Sequence, residues 1–187
     1  ITLQRTACFG DCPDYAVTIH GDGRVVFRTQ PDLAIRDAAL VHREYAESSG
    51  VRVSGQHETV ISREAVDRLV AAFREADFFE LSPEYRAGVT DSPTYIVSID
   101  IGSRRHSVVD YVGTEAGMPK VVTELENAID QAAGTERWIK GTAAVIPLLQ
   151  AKGAAFDGRL GLELMDAAAE RGDIGTMSQL KRLGAPV

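Results

Sequence analysis

The two cysteines of this sequence lie close enough along the chain to react with each other. Cys8 and Cys12 are separated by three residues that include Gly10, and the chain has 2 cysteines in all. A disulfide requires Cα atoms within about 7 Å of each other, which a turn at Gly10 would allow. Because neither thiol has another cysteine to pair with, the spacing predicts a structural disulfide.

Three other states of these thiols stay open. A redox-active pair needs a low thiol pKa, but Asp11 and Asp14 would raise it, and the spacing is not Cys-x-x-Cys. A zinc site needs four ligands. The 4 histidines that could supply them are scattered: His20, His42, His57 and His106. Two reduced, buried thiols are the last alternative. The sequence predicts no metal site and no cofactor.

Asp91 has the most distinctive surroundings of the carboxylates, within the run Thr90-Asp91-Ser92-Pro93. We expect its side chain to cap a turn by accepting hydrogen bonds from backbone amides. An acid catalyst is the alternative, although no base is visibly paired with it. Asp100 and Asp110 fall in alternating, strand-like segments, where we expect both to face solvent.

Composition limits the classes of function. The 187 residues are enough for one domain and a small appendage. The net charge is −7, which argues against nucleic acid as the main partner. Residues 1–137 carry 14 basic and 22 acidic residues, against 6 and 5 in residues 138–187. No apolar run approaches the roughly 18–20 residues that a membrane span needs.

The elements that position these residues begin with strands. Alternating residues over 15–20 and 24–29 predict a hairpin around Gly21-Asp22-Gly23, which suits a tight turn and lacks the Lys and Ser/Thr of a phosphate loop. A second hairpin is predicted over 95–101 and 106–112. Residues 51–61 predict a strand interrupted at Gly55. Residues 32–50 form a long excursion for which we predict no element.

Two amphipathic helices complete this part of the chain. Ser62 is a typical N-cap for a helix that ends near Ala76, and Pro119 opens a second helix with Val122, Leu125 and Ile129 on one face. Paired strands followed by helices predict an α+β fold, with an antiparallel sheet and helices on one face.

The last fifty residues contain an internal repeat with an offset of 31. The matched pairs are Gly141 and Gly172, Leu149 and Leu180, Gly153 and Gly184, and Ala154 and Ala185. A period near 33 with helix–turn–helix content is typical of a solenoid. Residues 167–187 resemble an ankyrin repeat, and the preceding unit is degenerate. Pro147 fits its second helix only in the first turn.

The octet Cys8-Phe9-Gly10-Asp11-Cys12-Pro13-Asp14-Tyr15 carries a more specific resemblance. Together with the following hairpin and the run 90–93, it resembles a bacterial family of uncharacterised domains with a Cys-Phe-Gly-x-Cys-Pro-x-Tyr signature. The resemblance covers residues 1–138. It implies an envelope or secreted protein, with a periplasmic or extracellular location, and it implies no activity.

We therefore expect an α+β domain over 1–134, followed without a flexible linker by a short ankyrin-like helical segment over 135–187, with Trp138 and Ile139 at the junction. The leading hypothesis is a non-catalytic protein-binding module of the bacterial cell envelope, with an inhibitor or immunity-type protein as its specific form. The candidate binding surface consists of Asp91, Met177, Leu180 and Leu183.

Other partners and functions follow from the same residues. The C-terminal helices could also associate with a second copy of the chain. The alternative functions are a thiol oxidoreductase using Cys8 and Cys12, a hydrolase using Asp91, and a structural component of the envelope.

Overall fold

A computed structural model describes residues 1–29 and 50–187. His42 and the excursion predicted over 32–50 lie outside the described residues, apart from Gly50. The chain divides into two compact units. The first, here called the sheet unit, consists of Ile1–Gly50 and Gly55–Gly134; the second, the helical unit, consists of Val51–Ser54 and Thr135–Val187.

The sheet unit contains a seven-stranded sheet. Its strands are β1 Thr2–Arg5, β2 Tyr15–Ile19, β3 Arg24–Thr29, β4 Gln56–Val60, β5 Glu84–Arg86, β6 Tyr95–Ile101 and β7 Arg104–Tyr111, in the order β4-β3-β2-β1-β6-β7-β5. The α+β prediction is confirmed. The sheet is mixed, however, because β5 pairs parallel to β7 at one edge, whereas the other pairs are antiparallel.

Both predicted hairpins form. In the first, Asp22 Oδ1 accepts a hydrogen bond of 3.0 Å from the Arg24 amide. Gly23 has φ +90°, and a Cβ atom there would lie 2.4 Å from the Ile61 carbonyl oxygen, so only glycine fits. In the second hairpin, Gly102 has φ +62° at the turn between β6 and β7.

Strand β1 lies in the middle of the sheet and joins the two hairpins. Leu3 faces Val17 on one side and Val97 on the other, and all three are fully buried. The opposite face is polar: Thr2 and Thr18 form a hydroxyl contact of 3.3 Å. One face of the sheet therefore carries the core, as the alternating pattern requires.

Two helices of the sheet unit supply the other half of this core. They are α1 Arg63–Glu75 and α2 Lys120–Ala133. The Ser62 side chain accepts a hydrogen bond from the Ala65 amide, which confirms the predicted N-cap. Helix α2 packs against β1, β2 and β6, and α1 packs against α2. Phe27, Phe73, Phe78, Leu125 and Ile129 are among the largest fully buried side chains.

The helical unit contains α3 Glu136–Ile139, α4 Ile146–Ala151, α5 Arg159–Glu170 and α6 Ile174–Arg182. The 31-residue repeat is visible in its backbone. The Ala154 amide donates to Leu149 O and the Ala185 amide to Leu180 O, both at 3.0 Å. Gly153 and Gly184 both have positive φ, as do Gly141 and Gly172. Pro147 lies in the first turn of α4, where its missing amide costs no helical hydrogen bond.

The strand predicted over 51–61 is only partly right. Strand β4 begins at Gln56, whereas Val51–Ser54 belongs to the helical unit. There the Arg52 amide donates to Ile139 O at 3.0 Å and the Val53 amide to Trp138 O at 2.9 Å. Gly55 separates the two stretches. Its φ of +101° interrupts the extended backbone, so the strand begins only at the next residue.

Candidate functional site

A short disulfide-closed loop, Cys8–Cys12, stands between β1 and β2. The two cysteines are bonded, with Cα atoms 5.5 Å apart, which confirms the predicted disulfide. The Gly10 amide donates to the Cys8 carbonyl oxygen at 3.0 Å and tightens the turn. Among the described residues no cysteine is free.

The loop is held against the turn that contains Asp91. The Phe9 amide donates to Asp91 O at 3.2 Å, and Thr6 and Thr94 exchange two hydrogen bonds of 3.0 and 2.9 Å at the base of the loop. The Asp91 side chain accepts a hydrogen bond of 2.9 Å from the Thr90 hydroxyl. The expected capping of backbone amides is therefore replaced by this contact, because Asp91 itself has φ +65° and its exposed side chain points to Thr90.

Phe9 is the exposed apolar residue of this loop. Its side chain is 78% accessible to solvent, and Val89, on the adjoining segment, is 40% accessible. Asp11 and Asp91 are exposed as well. The loop therefore presents an aromatic ring among carboxylates, an arrangement suited to contact with another molecule.

The last residue of the octet, Tyr15, enters the core instead of the loop. It is 1% accessible, and its hydroxyl donates to Asp130 Oδ1 at 2.6 Å. Arg5 donates to Asp130 Oδ2 from Nε at 3.0 Å and Nη2 at 2.8 Å, and its guanidinium lies 4.2 Å from the Tyr95 ring centre. Burial alone would lower the pKa of the Arg5 guanidinium. Tyr15 and Asp130 raise it by more, so the net shift of the pKa is upward.

Glu126 lies one turn before Asp130 on α2 and is 1% accessible. Among the described residues, its Oε1 atom has no hydrogen-bond partner. Burial first, and then the charge of Asp110, raise the pKa of Glu126 to about 8. At neutral pH this carboxyl is therefore protonated in most molecules, which removes the cost of burying an unpaired charge.

The prediction that Asp110 faces solvent is wrong, because this residue is only 8% accessible. Its Oδ1 atom accepts a hydrogen bond of 2.6 Å from the Gly113 amide after β7. Asp100, in contrast, is exposed and pairs with Arg105 at 2.8 Å.

We call Arg5, Tyr15, Asp110, Glu126 and Asp130 the buried polar cluster. The sequence analysis missed Arg5, Glu126 and Asp130. A signal for Glu126 existed, since Val122, Glu126, Ile129 and Ala133 follow the i, i+4, i+7, i+11 spacing of a buried stripe. Arg5 and Tyr15 pair with Asp130, and protonation of Glu126 removes its repulsion with Asp110.

The apolar residues predicted to bind a partner are not equally available. Leu180 is fully buried inside the helical unit and offers no surface, whereas Met177 and Leu183 are half-buried. Leu183 lines a shallow groove of about 600 Å³ together with Phe156 and Ala154. Asp91 lies in the sheet unit, so the four predicted residues do not form one continuous surface within either unit.

Among the described residues there is neither a side-chain cluster for a metal ion nor a helix that could span a membrane. In residues 1–29 and 50–187, no group of three His, Cys, Asp or Glu side chains is arranged to hold a metal ion. Within the same ranges, none of the helices combines the length and the apolar character that crossing a membrane demands.

Comparison with known proteins places the sheet unit in a family. A family model described as a domain of unknown function, DUF6438, matches residues 1–133, and the chain belongs to this family. No curated protein and no solved structure gives a significant match to the chain.

Proposed function

We propose that this DUF6438 protein is a non-catalytic protein-binding module of the bacterial cell envelope, in the specific form of an inhibitor or immunity-type protein. One observation carries the proposal: Phe9 is 78% exposed on a loop that a disulfide closes and the Asp91 turn holds in place. A single exposed apolar residue is common on protein surfaces, so the support for a binding role lies in the loop that fixes the position of Phe9.

The geometry of the loop favours binding for an energetic reason. Interface hot spots are enriched in aromatic residues that insert into pockets of the partner. Binding by a mobile loop loses conformational entropy, and a closed loop has lost part of that entropy before the partner arrives. The Cys8–Cys12 bond and the Phe9–Asp91 hydrogen bond both restrict this loop in the free protein.

The location is proposed from the disulfide. Disulfides persist in oxidising compartments such as the periplasm and the cell exterior, and they are rare in the reducing cytosol. Cys8 and Cys12 lie at the surface, half-buried, where a cytosolic reductant would reach them. A periplasmic or secreted location is consistent with this bond.

The helical unit offers further support for a binding role. Matching glycine turns and hydrogen bonds recur 31 residues apart in its backbone, which supports two helical repeats. We assign them as ankyrin-like, a class of scaffold that presents surfaces to other proteins. The groove beside Leu183 is the candidate secondary contact. Homo-association through α6 stays a prediction, which size-exclusion chromatography with light scattering tests.

The proposal is tested by co-purification from an oxidised periplasmic extract. The wild-type chain should retain a partner in stoichiometric amount, and Phe9→Ser should lose it. Val60→Ser is the matched control, because Val60 is 73% exposed but lies in β4, at the end of the sheet away from the Cys8–Cys12 loop. Absence of a stoichiometric partner, or equal retention by the wild type and Phe9→Ser, would contradict the proposal.

The oxidoreductase alternative predicts a different result. Alkylation of the reduced protein across a pH series reports the thiol pKa, and a redox enzyme needs at least one thiol with a pKa well below that of free cysteine. A binding module needs no such shift. A depressed thiol pKa together with turnover of a disulfide substrate would favour the enzyme.

A further inference from the structure

The charged residues of the two segments that meet at Phe9 are all acidic. The loop and the turn beside it, residues 8–14 and 88–93, contain Asp11, Asp14 and Asp91 but no Lys, Arg or His. Asp11 and Asp91 are exposed, and in the part of the chain that the structure describes neither forms an ion pair. We call Phe9, Val89, Asp11 and Asp91 the loop patch.

The nearest cations along the chain are held elsewhere. The Arg5 guanidinium is bound to Asp130, and the Arg5 side chain is 13% accessible. Arg86, which precedes the turn, pairs with Glu84 at 2.7 Å and lies over the Tyr111 ring at 5.0 Å. Among the described residues, neither arginine forms an ion pair with Asp11 or Asp91.

From this juxtaposition we infer that the partner is a protein whose binding site is an apolar pocket for Phe9 bordered by Lys or Arg side chains. The inference rests on the proposed function and specifies its partner. The Phe9 ring supplies the buried apolar anchor, while the exposed carboxylates steer a basic surface toward it and exclude acidic ones. An anionic membrane surface, which could also accept an exposed aromatic ring, would be repelled by the same carboxylates.

The charge of the loop patch also predicts how binding of the partner depends on salt concentration. Long-range attraction between exposed charges is screened by salt, whereas burial of an aromatic ring is not weakened in that way. Association with a basic partner should therefore slow as salt rises, while the dependence on Phe9 persists at every salt concentration.

The test uses a defined probe. A phage library of random, cysteine-free dodecapeptides is selected on the immobilised, oxidised full chain at low salt, and the enriched peptides are synthesised. We expect sequences that combine Lys or Arg with apolar residues. Binding of these peptides should fall about tenfold or more in Phe9→Ser, and about two- to fivefold in Asp11→Asn and in Asp91→Asn.

Matched controls separate the loop patch from general effects. Val60→Ser removes a similarly exposed apolar residue of β4, and Asp166→Asn removes an exposed carboxylate of α5. Both should leave peptide binding unchanged, and the melting temperatures of all variants show whether each one folds.

The outcomes distinguish this inference from the function on which it rests. Selection of neutral or acidic peptides, or binding that ignores Asp11→Asn, Asp91→Asn and salt, would overturn the basic partner. If the natural partner is then still lost in Phe9→Ser, the proposed function stands alone. Binding to phosphatidylglycerol vesicles that requires Phe9, without selection of any peptide, would overturn both.

Discussion

The sheet unit uses carboxylates in two opposite ways. On the inner face of α2 they are neutralised: Asp130, half-buried, pairs with Arg5 and Tyr15, and buried Glu126 holds a proton. At the Cys8–Cys12 loop they are exposed and act on the surroundings. A substitution in the buried polar cluster should therefore change stability, whereas a substitution in the loop patch should change binding.

The octet that begins at Cys8 connects these two regions. Its cysteines close the exposed loop, while Tyr15, only three residues after Cys12, donates to Asp130 in the core. One short stretch of sequence thus fixes both the shape of the loop and the place where the loop is attached. This gives a physical reason for a tyrosine at the end of a cysteine-containing motif.

The largest effect is expected from Asp130→Ala. The change leaves the Arg5 guanidinium buried without its carboxylate and leaves the Tyr15 hydroxyl without this acceptor. Breaking a buried pair from one side costs about 3–5 kcal/mol. Urea denaturation measures the loss, and the double variant Arg5→Met/Asp130→Leu should recover much of it. A loss under about 1 kcal/mol would show that the pair is solvated.

The second-largest effect is the change in stability with pH that Glu126 causes, and its sign follows from the direction of the pKa shift. The folded-state pKa is raised from the ordinary 4.5 to about 8. The folded state therefore binds more protons than the unfolded state between these values, and the contribution of Glu126 to stability is fully present below pH 4.5. It should decline by up to about 1.4 kcal/mol for each pH unit as pH rises toward 8.

Replacement of this carboxyl tests the explanation. Glu126→Gln keeps the shape but cannot ionise, so the decline between about pH 5 and 8 should flatten, and at pH 8 the variant should be more stable by on the order of 2–4 kcal/mol. Denaturation curves across pH provide the comparison, with Glu163→Gln as an exposed control. Parallel curves for the wild type and Glu126→Gln would contradict the assignment.

The disulfide should have a smaller effect because its loop is short. The chain-entropy relation gives about 2 kcal/mol for a loop of this length. The double variant Cys8→Ala/Cys12→Ala should lose about this much stability while β2 and β3 stay paired, and hydrogen exchange of their amides can show that they do. Intact mass after alkylation, with and without prior reduction, tests the bond itself: alkylation of both thiols without reduction would contradict it.

The smallest change in stability is expected from Phe9→Ser. Its ring is mostly in solvent, and substitutions at such positions usually change stability by less than about 0.5 kcal/mol. Phe27→Ala is the contrast, since Phe27 is fully buried and a cavity there should cost about 3–5 kcal/mol. A large loss in Phe9→Ser would mean that the ring supports the fold, and the division between the two regions would fail.

Local patterns predicted the parts of the fold that local chemistry determines. The Gly21-Asp22-Gly23 hairpin, the Ser62 cap, the alternating core residues of β2 and β6 and the Cys8–Cys12 bond all depend on residues near each other in the chain. The predicted strand over 51–61 failed at residues 51–54 because their backbone groups pair with residues 138 and 139, which no local pattern reveals. The parallel strand β5 has only three residues and gave no alternation.

The candidate site likewise contains residues that local patterns could predict and residues that depend on distant parts of the chain. The cysteines were visible as a pair, but the hydrogen bond that holds the Phe9 backbone joins it to Asp91, more than eighty residues away. Asp110 was expected in solvent because alternation does not show which face of a strand a helix covers. Arg5 and Asp130 meet because β1 lies centrally in the sheet under α2, and this position follows from the order of all seven strands.

The central position of β1 also has a consequence for the order of folding. Its pairing with β2 closes a loop of about ten residues, but its other partner, β6, comes about ninety residues later. During synthesis on the ribosome, one edge of β1 therefore stays unpaired until β6 has emerged. An open strand edge is a template for pairing with other chains. Misassembly of the nascent protein should concentrate in this interval, and the capture of β1 by the β6–β7 hairpin should end it.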